Sequence, residues 1–223
     1  MRLTAQVISD APIVLNCEGK LTLQLRNLQI PYIENLSTTQ NRFSVIDLTN
    51  NEIIDLEGIP ENFTNLQTVL LGNNNITRIS SELSGNNHIE SMSLINNNLK
   101  QIDTNFSKFH KLHTLCLLNN PVCQLPNYRL FMIWLVPSLK VLDFARVRPS
   151  ERVKAEELFG VDRTDYNEVA LSLLNKSVEG EKFSLPKHVV SKLSEQDRKE
   201  LLQRLQKATS IDEIEQIESA LLG

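Results

Sequence analysis

The feature that most constrains this chain is a period of 23 residues. Phe43, Leu66, Ile89 and Leu112 are each followed at the same offset by a second apolar residue: Ile46, Val69, Met92 and Leu115. Leu48, Leu71, Leu94 and Leu117 form the next column, and Asn51, Asn74, Asn97 and Asn120 the one after it. Ile53, Ile76, Leu99 and Val122 follow, and then Leu56, Ile79, Ile102 and Leu125. The register extends upstream through Leu23, Leu25, Ile30 and Ile33, although Lys20 and Leu28 stand where an apolar residue and an asparagine belong. Downstream it restarts at Leu139, Leu142 and Phe144, after a gap of 27 residues. Damaged ends suit an array whose terminal units must cover the core instead of stacking on a neighbour.

Local chemistry turns the period into a fold. Each L-x-L segment reads as a short strand whose alternate side chains point inward. One such strand cannot bury them, so successive repeats must stack as a parallel sheet over a continuous apolar interior. The asparagine falls where the chain leaves the sheet, and its amide can pair backbone groups of the turn and of the adjacent repeat. The expected class is α/β: a leucine-rich-repeat solenoid of about five to six repeats with a parallel concave sheet, a helical C-terminal cap and a helical tail.

Residues between the buried leucines should face the concave side. Gln24, Asp47, Ser93 and Cys116 take such places, as do Thr49 and Gly72. Val45, Leu70, Ile95, Leu118 and Val141 are apolar where the solenoid needs no apolar residue, and one per repeat makes a patch across the sheet. Contiguous exposed apolar surface marks a binding site. Five or six strands at roughly 4.8 Å span about 25–30 Å. An amphipathic helix of about 16–20 residues matches that width.

Asn127–Leu135 is unusually apolar and reads as a helix covering the open end of the core, stopped before Pro137. Ser150–Phe159 reads as a second helix, with Ser150 as N-cap and Gly160 past its end. The domain therefore spans residues 1–160. Residues 161–190 read as a linker, and 191–223 as a tail of two short amphipathic helices opening at Ser194 and Ser210.

Charge and motif content narrow the function. Net charge is −4, without the basic face of a generic polyanion binder. Through Ser150 basic and acidic residues balance at 12 each, while the remainder carries 11 against 15, which places an acidic tail on a neutral array. Cys17, Cys116 and Cys123 make no closed disulfide framework. The opening residues lack a signal-peptide core and no stretch is apolar enough to span a bilayer, so an intracellular protein is expected. No nucleophile, phosphate-loop or dinucleotide motif occurs. His110, His113 and Cys116 should diverge in this register, so neither a metal nor a cofactor is expected, and the chain reads as a non-enzymatic binding protein.

Three segments carry a family likeness. IPYIENL from Ile30, NYRLFMIWLVPSLKVLDFARVRPSERVKAEELF from Asn127 and the closing ATSIDEIEQIESALLG resemble the A-prime subunits of the U2 small nuclear ribonucleoprotein. The resemblance implies a nuclear pre-mRNA splicing factor. Its concave face would hold a helix of the B-double-prime subunit, an RNA-recognition-motif protein, and the pair would bind a stem-loop of U2 small nuclear RNA. This chain would contact RNA mostly through its partner. Arg26, Arg146, Arg148 and Arg152 are the side chains placed to reach phosphates, and the tail would dock on other spliceosomal proteins. The cap motif alone is shared with other repeat proteins of this type, so a regulatory repeat protein binding a phosphatase or a cytoskeletal protein is the alternative.

Overall fold

The computed structural model describes residues 1–80, 88–163 and 166–174, all within one compact unit, Met1–Lys176. Helix α1 (Ala5–Asp10) is capped by Thr4, whose hydroxyl accepts from Val7 N–H. It leads into β1 (Ile13–Leu15) and β2 (Leu21–Gln24). Each following repeat contributes one strand: β3 (Val45–Asp47), β5 (Thr68–Leu70), β7 (Ser91–Ser93), β8 (Thr114–Cys116) and β9 (Val141–Leu142). On the opposite side of the array, β4 (Asp55–Leu56) and β6 (Arg78–Ile79) form a small parallel pair. The main sheet runs β1-β2-β3-β5-β7-β8-β9-β10, with β10 at Ala145–Arg146. The six strands from β2 to β9 are parallel, and an antiparallel strand closes each end.

The columns read from the sequence meet as strand partners. Leu23, Ile46, Val69, Met92, Leu115 and Leu142 lie side by side and are all buried. The asparagines are buried too, and each joins two repeats. Asn97 Oδ1 accepts from Ile76 N–H at 2.9 Å, and its Nδ2 donates to Leu71 at 2.9 Å and Leu94 at 3.0 Å. Asn51, Asn74 and Asn120 repeat the arrangement. At the damaged first repeat, Asn51 reaches back to the N–H groups of both Leu28 and Ile30. The bond to Leu28 N–H is the one addition to the contacts made in the other repeats.

Helix α2 (Tyr128–Leu135) buries six of its eight residues, with Arg129 as its one charged side chain. Phe131, Trp134 and the Phe159 ring of α3 (Pro149–Phe159) form an aromatic cluster with centroids 5.1–5.6 Å apart. Trp134 Nε1 donates to the Gly160 carbonyl at 2.7 Å.

Three expectations change at this end. The N-cap of α3 is Arg148, not Ser150. Pro149 opens the helix with its preset φ, and the Glu151 carboxylate accepts from Arg148 N–H at 2.8 Å. Phe144 does not join the core column: the chain turns back after Leu142, leaving the ring 74 % exposed. The stretch read as a linker, 161–190, contains helix α4 (Glu168–Leu173), whose Ala170 and Leu173 are buried. Leu174 bridges Ile102, so the packed cap continues past residue 160. The expected helices at Ser194 and Ser210 lie outside the described residues.

Candidate protein-binding face

The open face of the sheet carries three rows of side chains. Thr22, Val45, Thr68, Ser91, Thr114 and Val141 pair across neighbouring strands to make the first. Gln24, Asp47, Leu70, Ser93 and Cys116 make the second. Thr49, Gly72, Ile95 and Leu118 make the third, their carbonyls accepting from the turn N–H groups of the preceding repeat. The sequence-derived face is therefore brought together as one surface.

Its relief differs from expectation. Val45, Asp47 and Cys116 are buried, at 3–5 % exposure, yet Val45 and Cys116 stand outside the main apolar cluster. They form a floor. Strands about 4.8 Å apart crowd side chains on a shared face, and the Asn16–Lys20 turn lines the same open trough as Val45, Thr68 and Leu70, a space of about 510 Å³. That turn is locked: Asn16 Oδ1 accepts from Glu18 N–H at 3.0 Å and Lys20 N–H at 2.8 Å. Above the floor, Leu70, Ile95 and Val141 are half-buried and Leu118 is 36 % exposed. The apolar patch is thus narrower than one residue per repeat.

Polar groups edge the trough. Asp47 accepts from Thr49 N–H at 3.0 Å and pairs with Arg26 at 3.3 Å. Glu90 and His113 line one side. Asn27, Asn50, Asn73, Asn96 and Asn119 border the other, all at positive φ, and their side chains hydrogen-bond in series at 2.5–2.9 Å. The eighth place of each repeat puts these asparagines on the open face, while their pairing with one another emerges only when the repeats stack. Beneath Cys116, burial raises the pKa of both Cys116 and Cys123, which keeps them as neutral thiols. Burial also pushes the Tyr128 hydroxyl far up, so it remains a donor to Asp143, at 3.0 Å.

The arginines divide. Arg152 donates to the Leu139 carbonyl within the cap, and Arg26 is engaged with Asp47. Arg146 and Arg148 are exposed and form no salt bridge among the described residues. Also among the described residues, no three His, Cys, Asp or Glu side chains converge, and no helix is long and apolar enough to cross a membrane.

The leucine-rich-repeat family model matches residues 1–173. The U2 small nuclear ribonucleoprotein A′ of Candida albicans is 50 % identical, over 99 % of this chain and 98 % of its own length. That of Schizosaccharomyces pombe is 35 % identical, over 100 % and 98 %. This chain belongs to the U2 small nuclear ribonucleoprotein A′ family. Its curated relatives are named as subunits of the U2 small nuclear ribonucleoprotein, a particle of pre-mRNA splicing. The human member is 37 % identical over 71 % of this chain and 63 % of its own length. A chain of the crystal structure of the Drosophila melanogaster SNF/U2A′ complex superposes with a TM-score of 0.68 at 36 % identity, covering 74 % of this chain and 95 % of that one.

Proposed function

We propose that the open face of this sheet holds an amphipathic helix of a B-double-prime-type RNA-recognition-motif protein, and that the pair binds a stem-loop of U2 small nuclear RNA in the nucleus. The observation that carries this reading is the run Leu70, Ile95 and Leu118: apolar side chains left partly exposed on a rigid sheet whose interior is already filled. The six parallel strands span about 24 Å between the first and last, the length of roughly 16 helical residues. Val45, Asp47 and Cys116 form the floor under such a helix, with Val141 at its far end. Gln24, Thr49, Gly72 and Ser93 offer small or polar contacts around it. Arg146 and Arg148 are free to meet phosphates of a partner-held stem, so RNA is bound chiefly through the partner. The acidic segment 194–223 docks on other spliceosomal proteins.

Leu70→Asp and Ile95→Asp test this in binding titrations against the B-double-prime-type protein of the same organism. Each should abolish binding while leaving the thermal midpoint nearly unchanged, because neither side chain serves the core. Unaltered binding by both variants would refute the docking face. Recovery of a phosphatase catalytic subunit, and no U2 RNA, from nuclear extract would favour the regulatory alternative.

A further inference from the structure

The turn between β9 and β10 holds a residue that its backbone disfavours. Leu142 pairs with Ala145 and Val141 with Arg146, so Asp143 and Phe144 alone make the loop. Both have positive φ, +52° and +60°. Two-residue hairpin loops with both central residues left-handed favour Asn-Gly or Asp-Gly. Asp143 fits that preference. Phe144, a bulky side chain in the left-handed region, does not. Strained residues persist where the surroundings over-determine them, and they concentrate at functional positions.

Here the surroundings do over-determine the turn. Asp143 accepts from Leu117 N–H at 2.7 Å and from the Tyr128 hydroxyl at 3.0 Å. Arg129 donates to the Leu142 carbonyl at 3.0 Å, to those of Ala145 and Arg146 at 3.3–3.4 Å, and to the Glu151 carboxylate at 2.8 Å. The turn is clamped from the cap side, while the phenyl ring it presents is 74 % exposed. Burial within this fold therefore does not explain the ring.

We infer that Phe144 is a preorganised anchor for the same RNA-recognition-motif protein, inserting into an apolar pocket on that protein beyond the helix in the trough. The inference rests on the docking reading above. Its position supports it: β9 is the strand next to β8, so the turn follows directly on the end of the sheet where Leu118 and Val141 are exposed or half-buried. Ala145 beside it is exposed and apolar, and Arg146 follows. Aromatic and arginine side chains dominate the energetics of protein interfaces, and a ring held rigidly before binding loses little entropy on docking.

The test uses the full chain and the RNA-free B-double-prime-type protein of the same organism in titration calorimetry, with Leu70→Asp as reference. Phe144→Gly and Phe144→Asn should both fold, since each residue accepts positive φ, and Phe144→Gly should raise the urea midpoint of the free chain. Both should weaken partner binding by at least about tenfold. Unchanged affinity in both, with Leu70→Asp still abolishing binding, overturns the anchor and leaves the docking face standing. Normal binding by both Leu70→Asp and Ile95→Asp overturns the docking face and the anchor with it. Affinity lost only when U2 stem-loop RNA is added overturns the protein pocket and assigns the ring to RNA.

Discussion

Single asparagines carry much of the order in this array. Asn97 satisfies one N–H of the preceding repeat and two carbonyls, one in each repeat, all in a buried position. Leucine would fill the space but strand those groups, at about 1–3 kcal/mol for each one left unpaired. Asn97→Leu should therefore destabilise by roughly 3 kcal/mol, read as a thermal midpoint lower by roughly 6–12 °C. Its neighbour Asn96 is exposed and serves the turn through its positive φ. Asn96→Gly keeps that conformation and should shift the midpoint by no more than about 2 °C. Equal losses at the two positions would contradict the division between a buried and a surface ladder.

At the scale of elements, an ion pair joins the two cap helices α2 and α3. Arg129 of α2 meets Glu151 in the first turn of α3, and Glu151 also accepts from Arg148 N–H. The hydrogen bond from Arg129 is the main cause that holds the Glu151 carboxyl below its ordinary value. A depressed carboxyl pKa adds stability above the unfolded-state value, and that stability is lost as pH falls through the folded-state value. Glu151→Gln should thus be less stable than the parent near about pH 7, and the gap should close towards about pH 3. Urea midpoints at the two pH values check this; a gap that widens in acid would reverse the assigned sign.

For the whole molecule, stability is a chain of nearest-neighbour contacts, so the ends matter most. α4 closes the last repeats: Leu173 is buried, and Ile102 N–H donates to its carbonyl at 3.0 Å. Burying one leucine side chain contributes about 1.5–3 kcal/mol. A chain cut after Lys176 should keep the thermal midpoint of its repeat unit, whereas one cut after Gly160 should melt at least about 5 °C lower. Both should retain the trough, so the longer fragment should bind the helix partner normally. A midpoint unaffected by the shorter cut would show that α4 adds nothing to the cap.

The parallel strands, their register, the inward columns and the asparagine stitching were all legible in the sequence. Each depends on contacts repeated every 23 residues, and repetition makes a local pattern stand out. Helix α2 was legible for a related reason, since a helix that is apolar apart from Arg129 must be covered. What depended on a single non-repeating contact was decided by the tertiary structure. Val45, Asp47 and Cys116 share a face with Leu70, yet they are buried where Leu70 is only half-buried. Phe144 fits the core column by spacing, yet the clamp on Asp143 turns the chain away first. Gly58, at φ +78°, lies against Ile33, and an added Cβ would fall 2.0 Å from the Ile33 carbonyl oxygen. The weakly patterned residues 166–174 became a cap because Ile102 offers a backbone N–H and an apolar seat, and neither is visible from their own sequence.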